Sequence, residues 1–216
     1  EIFGHNMLLA SRDKYPPISM VSGTYERKTT ELIYNTVTPS MVAVDIGAHV
    51  GYFSLLLGKL VGRSGKVYSF EPEPDNHSLL RENIRMNGYE NIVAINKAVS
   101  NVPGFAQLLI SGLDNGRNSF YANDLPTVGS VVVETITLDD YMVEQGSPTV
   151  DLMKIDVEGS EFIVWQGMTN LLDRCKDLKI IMEMNPSMLI TAGVDPISFL
   201  GQVSDAGFSL YTIDER

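Results

Sequence analysis

The sequence predicts a doubly wound α/β domain on a mostly parallel sheet. Two observations predict it: short apolar runs alternate with helical patterns along most of the chain, and glycine-rich or polar punctuation separates them. Composition bounds the count to a single domain. The 216 residues are 44% hydrophobic and 20% charged, which suffices for one full core. No internal repeat or low-complexity tract interrupts the pattern.

Residues 1–40 read as a lead-in that packs on the core, with turn chemistry at Tyr15-Pro16-Pro17 and one helix over 27–37. The domain proper is expected over 41–216. Its first strand, 41–45, ends at Asp45 and is followed by the turn Gly47 to Gly51 and a helix over 52–60. A second strand over 66–70 leads to Glu71-Pro72-Glu73-Pro74, where Asp75 is placed to cap a helix that stops at Asn87-Gly88. The third strand is 92–95. Over 100–147 the pattern changes to two apolar runs, 105–110 and 131–136, around a polar stretch, 112–129. This predicts a hairpin-like insertion with a mobile loop. Parallel order returns with a strand over 150–155, a turn over 156–159 and a helix over 160–168. A fifth strand over 178–182, a helix over 196–206 and the run 208–213 complete the chain.

Charge and cysteine content exclude several classes. The formal net charge of -11 repels polyanions and argues against nucleic acid as a partner. No apolar run approaches the roughly 18 residues needed to span a bilayer, and no charged-then-apolar segment opens the chain, so no membrane association is expected. The single cysteine, Cys175, has no Cys or His neighbours at metal-ligand spacing; it reads as an inert thiol and fits a reducing cytoplasm. The chain opens on Glu1, as a segment excised from a longer protein would. Oligomeric state is not legible.

Ligands of open parallel sheets bind beyond the carboxyl ends of the strands, where the winding reverses. Those ends carry Asp45, Gly47, Ala48, His49 and Gly51; then Glu71; then Asn96, Lys97 and Ala98; then Asp156 and Glu158; then Glu183 and Asn185. A glycine turn admits close backbone approach, and an acid about 20 residues further on is placed to accept ribose hydroxyls. Taken alone, the glycines fit a plain tight turn equally well. A dinucleotide would call for a second glycine after Ala48. Asp45, just ahead of the turn, suits the ammonium of an amino-acid tail better than a pyrophosphate. A nucleoside with a cationic tail is therefore favoured, and S-adenosylmethionine is such a ligand.

Three runs in this order, Val44-Asp45-Ile46-Gly47-Ala48-His49-Val50-Gly51-Tyr52-Phe53-Ser54-Leu55, Phe70-Glu71-Pro72-Glu73-Pro74 and Lys154-Ile155-Asp156-Val157-Glu158-Gly159-Ser160-Glu161, closely resemble the FkbM family of S-adenosylmethionine-dependent methyltransferases. Weaker similarity runs from Gly23-Thr24-Tyr25-Glu26 through Ala98-Val99-Ser100 and Thr137-Leu138-Asp139, so the resemblance covers nearly the whole chain. It implies a class I, Rossmann-like methyltransferase fold and O-methylation of a small molecule or carbohydrate. It implies further that Asp45, Gly47 and Gly51, with Ala48 and His49 between them, line the methionine end of the cofactor. Glu71 would hold the ribose and the backbone around Lys97 and Ala98 flank the adenine, with Glu26, Tyr25 and Asp156 completing the pocket. A class I methyltransferase would also add an antiparallel strand after 208–213, a departure expected to weaken that sheet edge.

Methyl transfer from a sulfonium is an in-line displacement with a neutral leaving group, so the protein supplies alignment and a group that helps the acceptor shed its proton. Asp156, His49 and Glu158 are the candidates. For His49 a purely conformational role in the turn competes, and for Glu161 the favourable field of a helix start does. No metal is expected; Glu183 and Asn185 offer oxygen atoms near Asp156, but the resemblance implies none there. A non-catalytic nucleoside-binding module, a nicotinamide-dependent oxidoreductase and N-methylation of an amine are the alternatives.

Overall fold

The computed structural model describes residues 4–9, 19–20, 25–112, 115–122 and 126–214. The expected turn at Tyr15-Pro16-Pro17 lies outside them, as do 23–24 of the lead-in. In chain order the strands are β1 (Val42–Ile46), β2 (Lys66–Phe70), β3 (Ile92–Ile95), β4 (Ala98–Val99), β5 (Gly104–Ser111), β6 (Thr127–Ile136), β7 (Leu152–Ile155) and β8 (Lys179–Met182). The helices are α1 (Arg27–Thr36), α2 (Tyr52–Val61), α3 (Pro74–Met86), α4 (Leu138–Glu144), α5 (Glu161–Gln166), α6 (Thr169–Arg174), α7 (Pro186–Thr191) and α8 (Pro196–Asp205).

Five strands form one parallel sheet in the order β3-β2-β1-β7-β8, the doubly wound arrangement that the alternating pattern predicts. Its strands are near-continuous apolar runs because both faces are covered. Along β1 and β7 the side chains alternate between two cores. Val44, Ile46, Met153 and Ile155 join the cluster that contains Trp165 and Phe199. Ala43 and Leu152 join the cluster that contains Ile33 of α1 and Leu55 to Leu57 of α2. By the same alternation Asp45 and Lys154, which are Cα partners across β1 and β7, fall on the α1 and α2 face.

The insertion makes a second sheet in the order β4-β6-β5. Antiparallel β5 and β6 confirm the expected hairpin. The expected boundaries of 100–147 are too wide at one end and too narrow at the other. Ala98 and Val99 already pair with Thr135 and Ile136, whereas Thr137 caps α4, accepting from the Asp140 N–H at 3.0 Å. Part of the expected mobile loop, 113–114 and 123–125, lies outside the described residues.

Capping chemistry accounts for three local differences from the sequence reading. The cap of α3 is Glu73, not Asp75: Pro74 takes the first helical position and Glu73 accepts from the Asn76 N–H at 2.7 Å. The single helix expected over 160–168 is followed at once by a separate helix, α6, because Asp139 of α4 accepts from the N–H groups of Asn170 and Leu171 and starts a new helix there. The helix α7, unforeseen, begins at Asn185-Pro186, with Asn185 accepting from the Met188 N–H at 3.3 Å. The run 208–213 joins no sheet; Phe208 packs on Trp165 with ring centroids 5.8 Å apart. Cys175 is buried and its sulfur accepts from the Val150 N–H at 3.3 Å, as suits an inert thiol. No helix among the described residues is long and apolar enough to cross a membrane.

Between β1 and β7 the winding reverses. There Gly47 has φ +84 and a Cβ on it would lie 1.8 Å from the Asp156 carbonyl oxygen. Gly47→Ala is expected to cost about 2–6 kcal/mol, since left-handed strain and overpacking each contribute roughly 1–3. Gly88→Ala, at φ +70 but with nothing within 4 Å, should cost only about 1–2 kcal/mol. Urea denaturation of both variants checks the contrast; equal losses would mean that the close approach carries no energy.

Candidate active site

The loops that follow β1, β7 and β8 extend the sheet's hydrogen bonding beyond the strands. Gly47 and Ala48 donate to the Phe70 carbonyl at 3.0 and 2.9 Å, Asp156 donates to that of Ile46 at 3.0 Å, and Glu183 to that of Ile155 at 2.9 Å. These bonds place the polar residues of the strand ends on rigid backbone. A cavity of about 990 Å³ opens beside them, and Tyr25, Glu26, His49, Lys154, Asp156, Glu158, Glu183 and Asn185 line it. The three expected catalytic residues, Asp156, His49 and Glu158, thus line one cavity together with Glu26. Three of the cavity's non-glycine residues have positive φ: Glu26 (39), His49 (51) and Glu158 (48). Such conformations are uncommon outside glycine and gather at functional sites.

At the centre is an ion pair. The Lys154 ammonium lies 2.6 Å from Asp156 Oδ2 and 4.5 Å above the Phe53 ring, with the lysine side chain only 5% exposed. Burial works against the charge on Lys154, but Asp156, Glu26 and Asp45 outweigh it and raise its pKa. Burial likewise works to raise Asp156, but the Lys154 ammonium and a hydrogen bond from Glu183 hold its carboxyl below the ordinary value. That same hydrogen bond to Asp156, together with burial, pushes Glu183 up to about 9, so it is a neutral donor at neutral pH. Sequence reasoning missed Lys154, although its spacing carried a signal: two residues before Asp156 on a strand puts both on one face.

Glu158 is committed elsewhere. Its carboxylate lies 3.7 Å from Arg117 of the insertion, and its carbonyl accepts from Ser119 Oγ at 2.7 Å. The residue thereby joins the insertion to the site.

The cofactor-side expectations fall behind the glycine turn. Asp45 is buried, accepts from Ser54 Oγ at 2.6 Å, and its pKa is raised by burial despite Lys154 and that bond. It does not line the cavity. Glu71 accepts from the His49 N–H at 2.8 Å and the Glu73 N–H at 2.9 Å, and so pins the turn to the start of α3. Burial pushes its carboxyl up to about 7 against the pull of those donors. Gly51 starts α2 at φ 97. The Lys97 side chain turns away to Glu134 at 2.5 Å, leaving its backbone and Ala98 beside Gly47 and Pro72 around a small slot of about 20 Å³. Ser160 also faces this slot, with a buried hydroxyl that has no hydrogen-bond partner among the described residues.

The profile of the methyltransferase FkbM domain matches residues 45–209, most of the chain and all three motif runs except the first residue of one. The chain belongs to this methyltransferase family. The hexuronic acid methyltransferase AglP of Haloferax volcanii is 29% identical over 187 residues, covering 85% of this chain and 70% of that protein. A crystal structure of a candidate rRNA-methylase from Clostridium thermocellum superposes with a TM-score of 0.50 at 11% identity, over 82% of this chain and 79% of that one, which shows the shared fold. The crystal structure of methyltransferase FkbM from Methylobacillus flagellatus KT gives 0.49 at 16% identity; the match covers 80% of this chain and 44% of that one. The fold is the class I methyltransferase fold, as the sequence implied.

Glu71 gives this site a pH dependence. Its folded pKa of about 7 stands above the ordinary 4.5, so the protonated form is favoured by folding. That contribution is complete below pH 4.5 and is lost as pH rises through 7, roughly 3 kcal/mol in all at 1.36 kcal/mol per unit. Glu71→Gln, which cannot ionise, is expected to flatten stability between pH 5 and 8 in urea titrations. An unchanged slope would show that Glu71 is charged throughout.

Proposed function

We propose that the chain transfers the methyl group of S-adenosylmethionine to a hydroxyl oxygen of a small, carbohydrate-like acceptor. One observation carries the reading: Asp156, His49 and Glu183 converge on one cavity at the switch point, with Lys154 fixing Asp156. The sugar-acid activity named for AglP supports a carbohydrate acceptor. The net charge of -11 weighs against a nucleic acid.

The residues present fit the cofactor. Gly47 leaves a cradle that a Cβ would fill, and each Glu71 oxygen keeps a lone pair for a ribose hydroxyl. The Ser160 hydroxyl, without a hydrogen-bond partner among the described residues and beside Lys97 and Ala98, can meet the polar edge of an adenine once Phe120, which walls the slot, turns aside. Asp45 acts from behind the turn, and Glu26 with His49 faces the methionine end. When bound, the cofactor supplies an electrophilic methyl group on a sulfonium.

The protein's own part is alignment and proton removal. Asp156 Oδ2 is held by Lys154 and Glu183 donates to the same carboxylate, so the acceptor hydroxyl would meet Asp156 at a lone pair those two donors leave open, with Asn185 bordering the same space. Asp156, kept in its charged form, is too weak a base to take the proton at neutral pH. His49 beside it takes that role. Glu158, tied to Arg117, positions the insertion.

Calorimetric titration with S-adenosylmethionine, S-adenosylhomocysteine and NAD tests the cofactor. The two adenosyl ligands should bind in the micromolar range and weaken at least tenfold in Glu71→Ala; a folded protein that binds neither would overturn the reading. With an acceptor in hand from a panel of hydroxylated sugars, His49→Asn, chosen because Asn tolerates positive φ, should slow S-adenosylhomocysteine formation about 100-fold and flatten the pH profile between about 5 and 8. A retained profile would return proton transfer to Asp156.

A further inference from the structure

Among the described residues Lys154 is the one buried lysine or arginine, and three elements aim carboxylates at it. Asp45 is its Cα partner across β1 and β7, Asp156 follows two residues later on the same face, and Glu26 enters from the start of α1. The Phe53 ring of α2 seals its remaining side at 4.5 Å. An ammonium so enclosed has few orientations to lose, and its contact with Asp156 at 2.6 Å fixes one carboxylate oxygen of a residue that lines the cavity.

We propose that Lys154 is a positioning residue for methyl transfer, the built-in cation that holds Asp156 and presents it to the acceptor. This rests on the methyltransferase mechanism above. The lysine touches neither reacting atom; it acts through Asp156. Its ammonium also makes a second cation on Asp156 costly, because two positive charges would share one carboxylate at close range. The groups facing it are Asp45, Glu26 and Asp156, with Glu183, His49 and Glu158 around Asp156.

The test follows the side-chain carboxyl carbon of Asp156 by NMR between pH 3 and 9 in the full chain and in Lys154→Met, with Asp156→Asn supplying the assignment. The same samples are titrated with S-adenosylhomocysteine. In Lys154→Met the Asp156 midpoint should rise by at least one pH unit, the scale of an adjacent cation, while S-adenosylhomocysteine affinity changes less than threefold. An unmoved midpoint overturns the proposal, as does a tenfold loss of S-adenosylhomocysteine affinity, which would make Lys154 part of cofactor binding. If Lys154→Met does not fold, the reciprocal measurement decides: the Lys154 ammonium midpoint should fall by at least one unit in Asp156→Asn, and no fall overturns the proposal. Neither titration needs cofactor, so a protein that fails to bind adenosyl ligands refutes the proposed function separately from the pairing.

Discussion

The loop after β1 and the loop after β7 press together where the winding of the sheet reverses, with Gly47 against the carbonyl of Asp156. A side chain of any size at 47 would hold the loops apart. Their closeness sets the rest of the site: it places His49, at positive φ, and Asp156 along the same cavity, beside the Lys154 ammonium that pairs with Asp156. The candidate residues therefore stand on strand ends whose hydrogen bonds are continuous with the sheet, and small displacements there are resisted by the whole ladder.

Two charge regimes lie on either side of that turn. Behind it, Glu71 and Asp45 are buried with local donors from the His49 and Glu73 backbone and from Ser54. Burial raises both carboxyls. In front of it, Lys154 keeps Asp156 charged and Asp156 keeps Glu183 protonated, so one ammonium distributes two protonation states over two neighbouring acids. The insertion reaches the front regime through Arg117 and Ser119 on Glu158. Glu158 thereby links the insertion to the cavity that Asp156 lines.

Most of the core sheet was legible. Strands at 66–70 and 92–95 match β2 and β3 residue for residue, because a parallel strand buried on both faces must be a short unbroken apolar run. The misses share a cause. Glu73 capping α3, Asp139 capping α6 and Asn185 opening α7 are side-chain-to-backbone bonds, two of them local and one, from Asp139, bridging residues about thirty apart. The local ones could have been read from a polar residue before Pro74 and Pro186; the long-range one could not.

By itself the sequence determined the fold class, the strand-end inventory and the family resemblance, because periodicity and glycine turns are properties of neighbouring residues. Only the tertiary structure decided what those residues meet. Packing set Lys154 on one oxygen of Asp156, Arg117 beside Glu158 and Ser54 on the buried Asp45, and the spacing of these residues along the chain foretells none of the three contacts. Protonation and role depend on charges and burial contributed by β1, β7, α1, α2 and the insertion together, and the distances between those elements exist only once the chain has folded.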